Sequence, residues 1–323
     1  MEPSKTLRFI LFISLFIFNF QSIIAQPEIT WTQTYGGNNW DEGHCVRETE
    51  DGGYIVGGLT MSFSAGLYDV YLIRTDENGD LLWSQSYGGA GWDEARAIQQ
   101  TSDSGFITAG RTTSFGAGDS DIYIVKTDAD GDTLWTSTYG GVDYDDSQWI
   151  GEIPGEGYII AGETFSYGEG GGDIILLKIG LDGDLMWYET YGGPLDEDAQ
   201  WAQFTSDGGI IITGSTDSFG AGNDDVFLVK TDSQGEMQWS NTFGGGEPDL
   251  SLSVVESSSG GYIIAGQTES YGNGNDDVYL IRVDGNGNLL WEKTFGLLQA
   301  DAASSIVETS DGGFCFCRCA DHR

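Results

Sequence analysis

Carboxylates are the residues best placed to do chemistry in this sequence, and they recur in two ladders. Asp41, Asp93, Asp145, Glu197, Asp249 and Asp301 stand 52 residues apart, and so do Asp69, Asp121, Asp173, Asp225 and Asp277. Paired ladders of oxygen ligands suit calcium, which takes roughly six to eight oxygens and tolerates irregular loops. The same side chains can cap their own loops by accepting hydrogen bonds from nearby backbone N–H groups. Recurrence in every copy is how scaffold residues behave, so capping is the expectation. Calcium on Asp69, Asp121, Asp173, Asp225 and Asp277 is the functional alternative.

Departures from a repeat point to a ligand better than the repeat itself. One position runs Trp40, Trp92, Tyr144 and then Asp196, Pro248, Ala300, so aromatic rings fill three consecutive copies and vanish from the rest. Trp149 and Trp201 are two further extras. A ring beside carboxylates, as in Trp40-Asp41, Trp92-Asp93-Glu94 and Tyr144-Asp145, suits a sugar with its apolar face and rim of hydroxyls. Trp40, Trp92, Tyr144, Asp41, Asp93 and Asp145 are therefore the candidate ligand-binding residues; packing between neighbouring repeats is the competing role. Catalysis has thin support. The histidines are His44 and His322, and no nucleophile-elbow motif accompanies them. Two of the 51 acids could converge for glycoside cleavage, but non-catalytic binding is the expectation. Cys315, Cys317 and Cys319 crowd the C-terminus without a histidine or fourth thiol at a zinc spacing.

The elements that must hold these residues follow from the repeat. Trp31, Trp83, Trp135, Trp187, Trp239 and Trp291 keep the 52-residue step without insertion. The copies run 31–82, 83–134, 135–186, 187–238 and 239–290, with a partial sixth at 291–323. Each reads as four strands, in the second copy about 82–87, 95–101, 106–112 and 121–127. Asp-Gly turns such as Ser102-Asp103-Ser104-Gly105 suit tight hairpins, and no helical periodicity interrupts them. Val70-Tyr71-Leu72-Ile73 is apolar on both faces, as in a strand covered on both sides. Four short strands per 52 residues predict an all-β fold, a β-propeller of four-stranded antiparallel blades. Gly58, Gly110, Gly162, Gly214 and Gly266 lie inside strands, where glycine marks close approach; the repeated tryptophan is the expected neighbour. Strand parity puts the longer loops on one face of the disc, where binding is expected.

Three stretches carry a resemblance: Asp207-Gly208-Gly209-Ile210-Ile211-Ile212-Thr213-Gly214-Ser215-Thr216, then Asp225-Val226-Phe227-Leu228-Val229-Lys230, then Trp239 with Phe243-Gly244-Gly245. They resemble the tandem β-propeller repeats of secreted bacterial and archaeal surface proteins, the seven-bladed β-propeller repeat family, from Trp31 to about Phe314. The resemblance implies a propeller and little about activity. The turn followed by tryptophan also looks like the docking motif of quinoprotein propellers, with the Asp76-to-Trp83 spacing one residue shorter.

Charge and termini bound the rest. The 323 residues carry 51 acids against 13 bases, a formal charge of −38, so nucleic acid is not an expected partner. Lys5 and Arg8, then an apolar run from Phe9 to Phe18 and Ala25, read as a signal peptide over 1–25. The remaining 26–323 is expected to be exported and not membrane-spanning, with a polysaccharide or a cell-surface protein as partner. An extracellular carbohydrate-active enzyme on the same scaffold is the alternative. The sixth copy departs at Cys315, where a reading-frame slip or a gene fragment would explain the cysteines, and a gap or strained contact is expected between the first blade and residues 291–323.

Overall fold

The computed structural model describes residues 31–320 apart from 274 and 298; the signal-peptide reading lies outside the described residues. Gln33 onward forms one compact unit. Every regular element in it is a strand. The first sheet holds β1 (Asp41–Glu48), β2 (Tyr54–Thr60), β3 (Asp69–Thr75) and β4 (Leu81–Tyr87). The second holds β5 (Asp93–Gln100), β6 (Phe106–Thr112), β7 (Asp121–Thr127) and β8 (Thr133–Tyr139). In the third are β9 (Asp145–Ile153), β10 (Gly157–Thr164), β11 (Asp173–Ile179) and β12 (Leu185–Tyr191). The fourth contains β13 (Glu197–Phe204), β14 (Ile210–Thr216), β15 (Asp225–Thr231) and β16 (Met237–Phe243). A fifth comprises β17 (Asp249–Glu256), β18 (Tyr262–Thr268), β19 (Asp277–Val283) and β20 (Leu289–Phe295), and β21 (Asp301–Glu308) pairs with β22 (Phe314–Ala320). Each sheet is an antiparallel meander in chain order. The sheets do not close into a ring, which agrees with the expected gap.

The strands match the sequence reading with two shifts. Each sheet ends, rather than begins, with its tryptophan strand, so a blade runs from Asp41 to Tyr87 and straddles two copies counted from Trp31. The first strand of the second sheet starts at Asp93 instead of Ala95, because the Asp93 carboxylate pins its own start by accepting from Gly89 N–H at 2.8 Å and Ser114 Oγ–H at 2.6 Å. The connection over 88–92 is therefore as short as the hairpins; the longer loop on that face is 113–120.

Burial follows strand order. The third strands are buried along their whole length, as Val, Ile, Tyr and Leu on both faces require. The fourth strands are the most exposed in the second to fifth sheets, and in the first sheet β1, which has no preceding sheet against it, is more exposed still. The core is a series of layers between successive sheets. Ile55, Val70 and Leu72 of the first meet Ala95, Phe106 and Tyr123 of the second. Ile107, Ile122 and Ile124 meet Ile150, Tyr158 and Ile160 of the third in the same way.

Tryptophan rings cover the turn glycine of the following sheet at four successive junctions, Gly131, Gly183, Gly235 and Gly287, with an indole hydrogen bond at the first two and the Trp187 N–H buried without a partner. Trp83 donates its indole N–H to the Ala129 carbonyl and Trp135 to that of Leu181, both at 3.0 Å, on the turn between the third and fourth strands of the following sheet. Four residues on, Tyr87 donates to Gly131 O at 2.6 Å and Tyr191 to Gly235 O at 2.5 Å; Tyr139 does the same to Gly183. Gly131 serves twice, taking φ of 84° and leaving its face open to the Trp83 ring. The turn-then-tryptophan element is thus a docking device between sheets.

The strand glycines have a different neighbour from the expected tryptophan. Each first strand carries a bulge at one residue: His44, Arg96, Gln148 or Gln200 in the first four sheets. Opposite it stand Gly58, Gly110, Gly162 and Gly214, and a Cβ there would run into the carbonyl of Glu42, Glu94, Asp146 or Asp198. The bulge pushes backbone against backbone, and only glycine leaves room.

Five cations stabilise the opposite ends. Lys126 and Lys230, each 2% exposed in the side chain, donate to Asp103 and Asp207 under the hairpin between first and second strands. Arg74 and Lys178 do likewise with Asp51 and Glu156. Arg282 finds Ser259 Oγ at 3.1 Å in place of a carboxylate, and burial lowers its pKa. The Thr205 hydroxyl, the Gly209 N–H and Lys230 hold Asp207 down at about 2.

Two measurements follow. Gly110→Ala should cost about 1–3 kcal/mol through backbone overlap, whereas Gly285→Ala, with open space around it, should stay within about 0.5 kcal/mol. Chemical denaturation of both variants checks this; equal effects would contradict the bulge argument. Asp207→Ala leaves the Lys230 ammonium without its carboxylate and should lose about 1–3 kcal/mol at neutral pH. Because the folded pKa is depressed, that stability is present above about pH 4 and fades as pH falls toward 2.

Candidate functional site

Departures from the repeat gather where the first strands of the second and third sheets begin, near the longer-loop face. Positions 94 and 111 face each other across β5 and β6, and the corresponding pairs change from sheet to sheet. They are Glu42 with Leu59, Glu94 with Arg111, Asp146 with Glu163, Asp198 with Ser215 and Leu250 with Gln267. The bulge adds Arg96, since an extra residue re-aims its side chain out of the ladder.

These side chains form one network. Glu94 Oε1 lies 2.6 Å from Arg96 and 2.9 Å from Arg111 Nε, and its other oxygen accepts from the Trp92 indole N–H at 2.9 Å. Arg111 donates to the Tyr144 hydroxyl at 2.9 Å, which donates to Asp146 Oδ2 at 3.1 Å. The Arg111 guanidinium sits 5.7 Å from the Trp92 ring centre and 5.5 Å from that of Tyr144, so one cation bridges both aromatic faces. Glu94 is held below its ordinary pKa: Arg96, Trp92 and Arg111 outweigh its burial. Asp146 is pushed up by burial despite the nearby arginines. Glu163 rises to about 7, first through burial and then through Asp198, Asp146 and Asp196. Of the nine basic residues between Arg8 and Arg318, five are the buried cations under the hairpins, and two, Arg96 and Arg111, belong to this network.

The sequence candidates separate into two groups. Trp92 and Tyr144 are half-buried in the network, Trp92 also packing on Tyr68 of the preceding sheet at 4.3 Å between ring centres. Trp40 is 62% exposed and donates to Glu42 Oε2 at 3.1 Å, as Trp92 does to Glu94. Each ring is thus tied to the acid two residues on. Asp93 and Asp145 are fully buried and turned away, accepting from Gly89 or Gly141 N–H and from Ser114 or Ser166 hydroxyls; Asp41 does the same with Gly37 and Ser62. They cap loops, as the recurrence implied. Asp69, Asp121, Asp225 and Asp277 accept from Ala65, Ala117, Ala221 and Asn273 N–H through one oxygen each. Asp173 joins that ladder, with burial and the Glu197 charge raising it to about 6. Trp149 and Trp201 pack between the third and fourth sheets and make no part of the network. His44 Nδ1 lies 2.9 Å from the Ala95 carbonyl.

Sequence reasoning missed Arg96, Arg111, Asp146 and Glu163. The signal was present: position 111 runs Leu59, Arg111, Glu163, Ser215 and Gln267, as irregular as the aromatic position beside it. Cys315 and Cys317 are exposed on β22, and no group of three or more metal-ligating side chains occurs among the described residues.

No family model matches the chain. The regulatory protein FlaEY of Caulobacter vibrioides is 26% identical over 164 residues, which span 43% of this chain and 17% of FlaEY. Sqt1 from Chaetomium thermophilum superposes with a TM-score of 0.50 at 12% identity, over 83% of this chain and 64% of Sqt1. The Pan2 WD40 domain of Neurospora crassa gives 0.51 at 10% identity, over 82% and 68%. At such identities the likeness is one of fold. Five four-stranded antiparallel blades and a two-stranded sixth among the described residues make this chain a β-propeller. No described helix is long and apolar enough to cross a membrane.

Two outcomes test this geometry. Trp40→Ala should leave the melting temperature nearly unchanged, while Trp92→Ala should lose about 1–3 kcal/mol by uncovering Tyr68 and Arg111. Glu163 has a folded pKa above its ordinary 4.5, so its stabilising contribution is complete below about pH 4.5 and is lost as pH rises through about 7. Glu163→Gln should flatten the fall in melting temperature between about pH 5 and 8; an unaltered slope would contradict the assignment.

Proposed function

We propose that the protein is an exported, non-catalytic recognition module that binds a polysaccharide, or the glycan of a cell-surface protein, at the longer-loop end of its first three blades. The observation carrying this is the network of Trp92, Glu94, Arg96, Arg111, Tyr144 and Asp146, set beside exposed Trp40 on an otherwise repeated scaffold. Rings supply apolar faces, and donors and acceptors held by one another supply hydrogen bonds at fixed positions, the combination a sugar demands. Fixed side chains lose little entropy on binding. Export rests on Lys5, Arg8, the apolar run and Ala25, and agrees with the resemblance to secreted propeller repeats.

A second reading has one specific observation behind it. Glu163 near 7 beside Asp146 and Asp198, with Glu94 held low, is the divergence of carboxyl pKa values that glycoside hydrolysis uses. An extracellular carbohydrate-active enzyme is therefore the alternative.

Retention on a panel of immobilised acidic and neutral polysaccharides separates the two. Trp40→Ala and Arg96→Ala should each weaken retention about tenfold, the loss expected for roughly 1.4 kcal/mol, with both variants folded. Retention unchanged in both would remove the binding reading. Release of reducing ends by the parent protein, abolished in Glu163→Gln, would favour the enzyme.

A further inference from the structure

The capping role of the second carboxylate ladder accounts for one oxygen of Asp69, Asp225 and Asp277 and leaves the other unexplained. Asp69, Asp225 and Asp277 are 3%, 1% and 1% exposed, and Oδ1 of each is buried without a hydrogen-bond partner. Each of these oxygens points at the first-ladder carboxylate of the next blade. Asp69 Oδ1 and Asp93 Oδ2 both fall 2.5 Å from where a Cβ on Gly88 would stand, so they lie no more than twice that distance apart. Asp121 Oδ1 and Asp145 Oδ2 stand 2.5 and 2.6 Å from the same point on Gly140. Gly192 lies in this way between Asp173 and Glu197, Gly244 between Asp225 and Asp249, and Gly296 between Asp277 and Asp301.

Two carboxyl groups share a buried gap at each of five blade interfaces. In the first four, no described lysine, arginine or histidine comes within ion-pair distance of either member. Hydrogen bonds from loop donors offset part of the cost of burying the first-ladder carboxylate, but facing a second carboxylate across the gap with no cation between them remains costly. The glycine itself adds an independent observation. Gly88, Gly140, Gly192 and Gly296 do not have the left-handed backbone that would demand glycine. What demands it is the space between the carboxylates, which a methyl group would fill.

We propose that each gap holds a hard divalent cation of the calcium class, one per blade interface. Asp69 with Asp93, Asp121 with Asp145, Asp173 with Glu197, Asp225 with Asp249 and Asp277 with Asp301 supply the carboxylate ligands. Calcium fits better than magnesium because it accepts irregular oxygen sets and needs no near-ideal octahedron. The cation cross-links successive blades next to the aromatic clasp and neutralises part of the −38 charge. This does not depend on the ligand proposed for the longer-loop face.

The test uses the whole exported protein stripped with EDTA and titrated with calcium chloride at constant ionic strength. Calorimetry should give about five equivalents, with dissociation constants on the order of 10⁻⁴–10⁻³ M as in other extracellular calcium modules. The melting temperature should rise with calcium concentration, by mass action on the folded state, and much less with magnesium. Asp225→Asn should remove one equivalent, and Asp69→Asn provides the same reading at a second interface. Absence of uptake, or equal effects of calcium, magnesium and sodium, would overturn the proposal. So would a melting temperature that follows pH and ignores calcium, since the gap would then hold a shared proton.

Discussion

Everything in this molecule depends on the clasp by which one blade grips the next. At the first three junctions a tryptophan and a tyrosine four residues apart on the outer strand reach the third-to-fourth turn of the following sheet; the ring covers its glycine and the hydroxyl donates to that glycine's carbonyl, while at the fourth Phe243 stands in the tyrosine's place. That contact sets the distance and angle between sheets, and the apolar third strands can be buried on both faces only when the next sheet is held there. It explains why the 52-residue step tolerates no insertion. An added residue between tryptophan and turn would misplace every layer beyond it.

The buried charges show a division of labour under scarcity. With so few cations in a strongly acidic chain, one in each four-stranded blade is committed to the hairpin between first and second strands, where in four of the five it ties a buried strand end to an exposed carboxylate. Arg96 and Arg111 break that regularity. They occupy positions where other blades carry neutral or acidic side chains, and they hold Glu94 ionised beside two aromatic rings. The repeat does not require them there, which is why the proposed recognition site is the asymmetric network and not the ladders.

Repetition determined most of what the amino-acid sequence conveyed by itself. Strand type, hairpin position, the all-β class and the bonds from Gly89 to Asp93 and Gly141 to Asp145 are short-range matters, set by residues a few places apart and repeated often enough to cancel local noise. The aromatic position at Trp92 and Tyr144 was legible because it broke the pattern. What only the tertiary structure decided involves contacts between strands or between blades. Gly110 answers to the Glu94 carbonyl because of a bulge in the partner strand, which spacing along the chain does not reveal. The acid that serves Trp92 is Glu94 and not adjacent Asp93, because alternate residues of a strand face opposite ways. Arg111 joins Tyr144 across 33 residues, and Asp69 meets Asp93 across a blade interface. Those pairings arise from three-dimensional closure of one sheet on the next, and a one-dimensional period carries no information about which side chains then converge.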